Sequence, residues 1–294
     1  MMNDWRTCQT LFMYAHRDDW KPQKHSIHLH AGAAFAHGLE AARRAFYEQG
    51  KDQETAVAVG VGALLEAYGD FECPEGIAKT PERMAGALEY YFNVAWPLAE
   101  GAVPAIMPSG KRAIEFSFAQ PLPFLNPDTQ EPVIYAGRSD MIAAFSGGIY
   151  IEDDKTTSQL GASWPKQWEM RAQFTGYCWA AREAGIKVTG SLIRGVSILK
   201  TKYDHAQAIT NRPDWEIDRW LAQTLRDLEA MKLAYASGVW NFSLGEGCQS
   251  YGGCDFTQIC KSNTPRDWLP MYFERRHWDP LERTETPLEG MPWE

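Results

Sequence analysis

PVIYAGRSDMIAAF (132–145) and GGIYIEDDKTT (147–157), meeting at Ser146-Gly147-Gly148, decide the reading of this chain. Each run is rich in β-branched and aromatic residues, and glycines lie between them, which is the pattern of a β-hairpin. In a strand, residues two apart share a face. Asp153 and Lys155 are therefore expected on one side, with Glu152 and Asp154 on the other. Asp140, on the first strand, can reach the point that Asp153 and Lys155 address.

Two carboxylates can hold Mg²⁺ or Mn²⁺ through oxygen. Such an ion stabilises charge on a phosphate and acidifies a bound water. A neighbouring lysine can orient or deprotonate that water, or stabilise the phosphate as a cation. Asp154 is carried as a further candidate oxygen ligand, although strand parity turns it away. Taken alone, Asp-x-Lys is more often the mark of a surface salt bridge on an ordinary hairpin.

Outward from the hairpin, RAIEFSFAQPL (112–122) alternates as a half-buried strand does. Gly32 to Gln49 is rich in Ala, Leu, Glu and Arg and is expected to be helical, as are 52–70 and 81–100. Residues 1–30 look irregular, with a helix around Cys8 to His16, and His28 and His30 are placed on a strand. After the hairpin come a helix from Trp164 to Ala184, a strand region VTGSLIRGVSILKTKY (188–203), and a helix from Asp214 to Ser237. Helices in front of a strand–helix–strand core predict an α/β fold with an N-terminal helical lobe. The expected organisation is one domain over 1–262, with the lobe at about 31–110, the αβ core at about 111–240 and a cysteine module joining Cys8 to 245–262, followed by a partly extended tail at 263–294.

The chain resembles the PD-(D/E)xK nuclease superfamily, and within it the branch around the RecB nuclease domain and the CRISPR-associated four-cysteine nucleases. That branch carries G-x-x-D on one strand and D-x-K-T on the next, here Gly137 to Asp140 and Asp153 to Thr156. A histidine some five residues after a glycine on an early helix corresponds to Gly32 and His37. Q-x-x-x-Y on the helix after the D-x-K strand corresponds to Gln173 and Tyr177, which share a helical face. Glu115 fits, more loosely, the glutamate one strand before the first aspartate. Ser139 stands where the superfamily's name has proline, a position at which the RecB-like branch commonly lacks it.

The resemblance implies a restriction-endonuclease-like core and Mg²⁺- or Mn²⁺-dependent hydrolysis of DNA, as an exonuclease on ends or single strands. His37, Asp140 and Asp153 would ligate metal, Lys155 would handle water and phosphate charge, and Gln173 and Tyr177 would touch DNA or orient Lys155. Tyr14 and Trp164 are candidates to stack on bases. Two other roles stay open: an end-trimming CRISPR-adaptation or recombination subunit with protein partners, and a non-catalytic DNA-binding protein on the same fold. A homo-oligomer is compatible with any of these.

Three of the six cysteines, Cys248, Cys254 and Cys260, fall within thirteen residues, which asks for a metal reading. Their even spacing is not that of a zinc finger, where pairs sit closer. The resemblance implies that Cys8 joins them around a [4Fe–4S] cluster that staples the ends of the domain. Zinc, or unliganded thiols, are the alternatives. Cys73 and Cys178 read as ordinary packing residues.

The remaining composition is that of a folded protein: 45% apolar, 23% charged, with a formal charge of −9 over 294 residues. An acidic balance argues against a protein that coats nucleic acid, but not against a nuclease, whose metal-binding carboxylates add negative charge locally. No apolar run is long enough for a membrane span and no basic-then-apolar leader opens the chain, so the cytoplasm is the expected location.

Overall fold

A computed structural model of the chain describes residues 1–243, 245–249, 253–279, 281–282 and 286–287. The chain divides into two compact units, one of Met1–His25, Leu122–Val133 and Leu221–Glu282, the other of Ser26–Pro121, Ile134–Trp220 and Arg283–Glu294. In chain order the elements are α1 (Met2–Thr7), α2 (Gln9–Phe12), β1 (Trp20–Pro22), α3 (Ile27–Tyr47), α4 (Gln53–Tyr68), α5 (Pro81–Tyr90), β2 (Val103–Pro104), β3 (Ile114–Leu125), β4 (Pro132–Phe145), β5 (Gly148–Thr157), α6 (Ala172–Glu183), β6 (Gly190–Ile198), β7 (Tyr203–Asn211), α7 (Asp214–Ser237), α8 (Thr257–Cys260), α9 (Pro265–Tyr272), β8 (Phe273–Arg275) and β9 (Thr286–Pro287). The mixed α/β fold expected from the sequence is what the chain adopts. No helix among the described residues is long and apolar enough to cross a membrane.

The larger unit is a sheet with strand order β7-β6-β5-β4-β3-β9, and β2 pairing with β4. β4 and β5 form the expected antiparallel hairpin, closed by Phe145 opposite Gly148. Its two-residue turn is Ser146-Gly147, both with positive φ (46° and 79°), the conformation that matches the twist of a tight hairpin. β5 and β6 are parallel, as strands joined through the crossover helix α6 must be, and β6 and β7 are antiparallel.

Helices α3 to α5 cover one face of this sheet. Ala34, Phe35, Leu39 and Ala42 of α3, Leu64 of α4, and Met84 and Leu88 of α5 bury against Val196 and Ile198 of β6. The first two helices cross where two glycines meet. A Cβ on Gly38 would come within 2.6 Å of Leu88 and 2.9 Å of Leu64. α4 and α5 start where side chains supply caps, Asp52 accepting from the Thr55 N–H at 2.9 Å and Thr80 from Arg83, with Pro81 at the first helical position. On the opposite face, Trp164, Trp168 and Phe174 pack on Ile193 and Ala208.

Three local expectations are corrected. HSIHLH is not a strand: helix α3 begins at Ile27, because Ile27 and Ala31 enter the helical core and His30 stacks on Phe71 at 4.1 Å. The helix expected from Trp164 starts only at Ala172, since Trp164 and Trp168 turn inward and Trp164 lies over Gly195, where a Cβ would approach it to 2.3 Å. Past residue 198 the chain breaks and returns as β7, which the sequence reading did not separate.

In the smaller unit, α1 occupies a stretch expected to be irregular, α2 lies within the helix expected around Cys8 to His16, and Trp5 and Phe12 pack edge to face at 5.6 Å. The tail is structured at its start, where α9 and β8 follow, β8 pairs antiparallel with β1, and Leu269 and Phe273 join Tyr14 and Phe256 in a small core.

Candidate active site

The site forms where β4 and β5 stop pairing. Their ladder runs from Phe145↔Gly148 to Met141↔Glu152, and one more step of that register sets Asp140 opposite Asp153. There the Asp140 carboxylate takes over as acceptor, receiving the Asp154 backbone N–H at Oδ2 over 2.7 Å. The Lys155 ammonium lies directly against the Asp153 carboxylate. Asp140, Asp153 and Lys155 thus converge as strand parity predicts.

Gln173 and Tyr177 arrive on α6, which packs on this same face of β5. The Gln173 amide donates to the Tyr177 hydroxyl at 3.0 Å. Asp153 and Lys155 both interact electrostatically with Tyr177, whose hydroxyl is pushed up to about 12 by burial and then by Asp153. Glu115 arrives on β3 with φ at 44°, a left-handed backbone that a non-glycine residue adopts only at some energetic cost. It is buried, with Arg138 Nε 3.5 Å from its carboxylate.

The acids crowd one another. Burial pushes Asp140 up to about 7, helped by the charges of Asp153 and Asp154. Glu115 is pushed up to about 9 by burial and then by Asp140, and Asp153 is raised chiefly by burial. These are carboxylates short of positive charge. Lys155 is held above its ordinary range by Asp153 and Asp140 despite its burial, so it stands here as a cation. Among the described residues no three His, Cys, Asp or Glu side chains are drawn tightly enough around one point to hold a metal ion as they stand.

Asp154, the further candidate oxygen ligand, lies on the side of the strand that parity gives it. Its carboxylate lies on the α3 face of β5, with Arg43 Nη1 2.8 Å from Oδ2 and the Tyr91 hydroxyl donating to Oδ1 at 2.6 Å. Oδ1 is held by a hydrogen bond and Oδ2 by the Arg43 charge. His37 is exposed on α3, one turn before Glu40, and no described contact joins it to Asp140 or Asp153. Tyr14 and Trp164 are buried, the first stacked on Phe256, so neither offers a face to a base.

Buried charges that are not among the sequence candidates lie behind the site. Arg43 Nη2 donates to Glu152 Oε1 at 2.7 Å, and Arg194 Nη1 reaches the same oxygen at 3.2 Å. Lys79, also buried, donates to Thr156 at 3.0 Å. The available signal was parity: Glu152, Asp154 and Thr156 alternate with the site residues and needed partners of their own once buried.

The four cysteines singled out all belong to the smaller unit. The Ser243 N–H points at the Cys8 sulfur over 3.4 Å, and Cys248 and Cys254 are joined by a backbone hydrogen bond of 2.9 Å. Cys260 is pushed up to about 11 by burial and then by Cys254, Cys8 and Cys248, so each of the other three thiols is within electrostatic reach of it. Cys73 and Cys178 lie elsewhere, Cys178 fully buried beside Ser191.

Compared with known proteins, residues 3–261 match the model of the PD-(D/E)XK nuclease superfamily. No curated protein matches the chain. Among solved structures, one described as "Crystal structure of SSO0001" is similar at 15% identity, covering 66% of this chain and 74% of that one. Its TM-score of 0.28 is too low to bear on the fold.

Proposed function

We propose that this chain, which belongs to the PD-(D/E)XK nuclease superfamily, is an exonuclease acting on DNA with Mg²⁺ or Mn²⁺. Membership implies metal-dependent nuclease chemistry. The substrate and the mode of cutting are our reading, from the ordered set Asp140, Asp153-x-Lys155 and Gln173-x-x-x-Tyr177 and its likeness to the RecB-like branch. The observation that carries it is the convergence of Asp140 and Asp153 on Lys155, with Glu115 close enough to Asp140 to feel its charge and all three carboxylates raised chiefly by burial.

The donor set fits a hard divalent cation, since its oxygens are carboxylates that burial and mutual repulsion leave short of positive charge. Asp140 and Asp153 would hold it, with Glu115 and His37 as further candidates. When bound, such an ion supplies charge stabilisation at the phosphate and a more acidic water. The chain's own residues do the rest. Lys155, charged and fixed by Asp153, orients the attacking water and offsets charge on the phosphate, a role its protonated state favours over that of a base. Tyr177, steadied by Gln173, borders Lys155 and limits where it can swing. Arg138 extends from the same strand as Asp140 and adds a cation at the mouth of the site.

For the smaller unit we read Cys8, Cys248, Cys254 and Cys260 as ligands of a structural [4Fe–4S] cluster, with zinc as the alternative. Each thiolate of a four-iron cluster binds its own iron, so the sulfurs need not crowd one point as they would around a single ion. An end-trimming subunit of a larger complex remains the second reading, and partner proteins would distinguish it.

The test is digestion of 5′- and 3′-labelled single- and double-stranded DNA with Mn²⁺, beside Lys155→Ala. Stepwise shortening that requires metal and is lost in the variant supports the reading. Equal cutting by both proteins, or full activity in chelator, overturns it.

A further inference from the structure

Behind the candidate site, on the α3 face of β5, the larger unit buries four charges where apolar side chains would pack. Arg43 is 3% exposed, Glu152 0% and Arg194 4%, and the Asp154 side chain is 2% exposed. Such a cluster adds little stability over a well-packed apolar core of the same volume, because desolvation offsets the attraction. Its arrangement is therefore informative about position. The Arg43 guanidinium spreads its two amino groups to two carboxylates on one strand, Nη2 to Glu152 and Nη1 to Asp154, at 2.7 Å and 2.8 Å. Only a planar fork spans such a pair, and a lysine could serve one of them. Tyr91 completes the grip, accepting from Arg43 Nη2 at 3.1 Å while donating to Asp154 Oδ1 at 2.6 Å.

The grip bears on Asp140 through the main chain. Asp154 is the residue whose side chain is clamped from behind, and its backbone N–H is the one that fixes Asp140 Oδ2 at 2.7 Å. At this point β4 and β5 have left their ladder while β5 stays paired with β6, Asp154 opposite Arg194, so the Asp154 N–H on the β4 side is left for the Asp140 side chain. We infer that Arg43 and Tyr91 are positioning residues for Asp140, acting through Asp154 to aim the free oxygen of Asp140 at a bound divalent cation. The inference rests on the proposed metal-binding role of Asp140 and Asp153. It gives the charged back face of the D-x-K strand a function: α3 and the turn after α5 set the geometry of a site whose ligands they do not supply.

The experiment measures Mn²⁺ binding to the full chain by titration calorimetry, without nucleic acid, for the parent protein and for Tyr91→Phe, Arg43→Lys, Asp154→Ala, Tyr91→Phe/Asp154→Ala and Asp140→Asn. Tyr47→Phe, which loses a comparable hydroxyl bond to the Leu98 carbonyl at 2.6 Å, is the control. Removing a group that orients a ligand typically weakens metal binding by about 10- to 100-fold. Tyr91→Phe is expected near the lower end of that range, about tenfold, with Arg43→Lys at least as weak and Tyr47→Phe unchanged. In the Asp154→Ala background the Tyr91 effect should vanish, because the route has been cut. An undiminished Tyr91 effect there overturns the route through Asp154. Parent-like Mn²⁺ affinity in Tyr91→Phe, while Asp140→Asn loses binding, overturns the positioning role and leaves the site reading intact. Parent-like affinity in Asp140→Asn overturns both. Should Asp154→Ala fail to fold, Tyr91→Phe against Tyr47→Phe decides alone.

Discussion

Replacing Asp140 by Asn should make the metal-free protein more stable at neutral and alkaline pH. Asp140 is pushed up to about 7 in the folded chain by burial and by Asp153 and Asp154, while an unfolded aspartate titrates near 3.9. Between those two values the folded state binds the extra proton. Stability therefore falls as pH rises across that window, and the full penalty is present above the folded value. At 1.36 kcal/mol per unit, a difference of roughly three units corresponds to about 4 kcal/mol. Asp140 is half-buried and shares its titration with Glu115 and Asp153, so solvent screening and coupling bring the expected figure to about 2 kcal/mol. The assay is urea unfolding in excess EDTA at about pH 5 and about pH 8, parent beside Asp140→Asn, with each stability taken by linear extrapolation. The variant should gain about 2 kcal/mol on the parent at the higher pH and much less at the lower. Saturating Mg²⁺ should narrow the gap, because only the parent keeps both carboxylates to bind it. A variant less stable than the parent at the higher pH, or a difference independent of pH, would refute the claim that burial and the charges of its neighbours raise Asp140.

Asp153→Ala and Asp154→Ala should separate by readout: the first abolishes cleavage with its melting curve retained, and the second lowers stability by about 1–3 kcal/mol because it strips Arg43 and Tyr91 of a buried partner. Equal stability losses in the two would contradict the opposite faces assigned to them. Gly38→Ala should cost about 1–3 kcal/mol in thermal or chemical unfolding, since its Cβ meets Leu88 and Leu64 at the α3–α4 crossing, whereas Gly62→Ala, with open space, should be neutral or stabilising. Cys178, whose thiol burial pushes up to about 11, should resist iodoacetamide in the folded protein while half-exposed Cys73 reacts; mass mapping of early labelling at Cys178 would count against its placement.

Local pattern carried a good deal of this protein. The β4–β5 hairpin was readable because alternation and a glycine turn are short-range signals, and β4 and α7 begin and end where the sequence reading put them. Asp153 and Lys155 on one face, with Glu152 and Asp154 on the other, follow from the period of a strand and nothing else. The same logic failed where packing overrode it. His28 and His30 alternate as strand residues do, yet Ile27 and Ala31 have a helical core to enter, so the segment is the first turns of α3. Trp164 and Trp168 sit in a sequence that suits a helix, but the bare backbone of Gly195 draws Trp164 over it and delays α6 to Ala172.

By itself the sequence determined which residues lie two apart on a strand or four apart on a helix, and so which side chains could act together within one element. Only the tertiary structure decided what each face would meet. Arg43 and Glu152 are 109 positions apart, and no local pattern announces that the first of two adjacent arginines on an alanine-rich helix is buried and grips the back of the site. Asp154, equal to Asp153 in residue type, becomes a held anchor because α3 lies over its face, while Asp153 faces α6 and Tyr177. The physical reason is that burial and electrostatic partners are properties of three-dimensional neighbours, and a chain states its period locally but its neighbours only once it has folded.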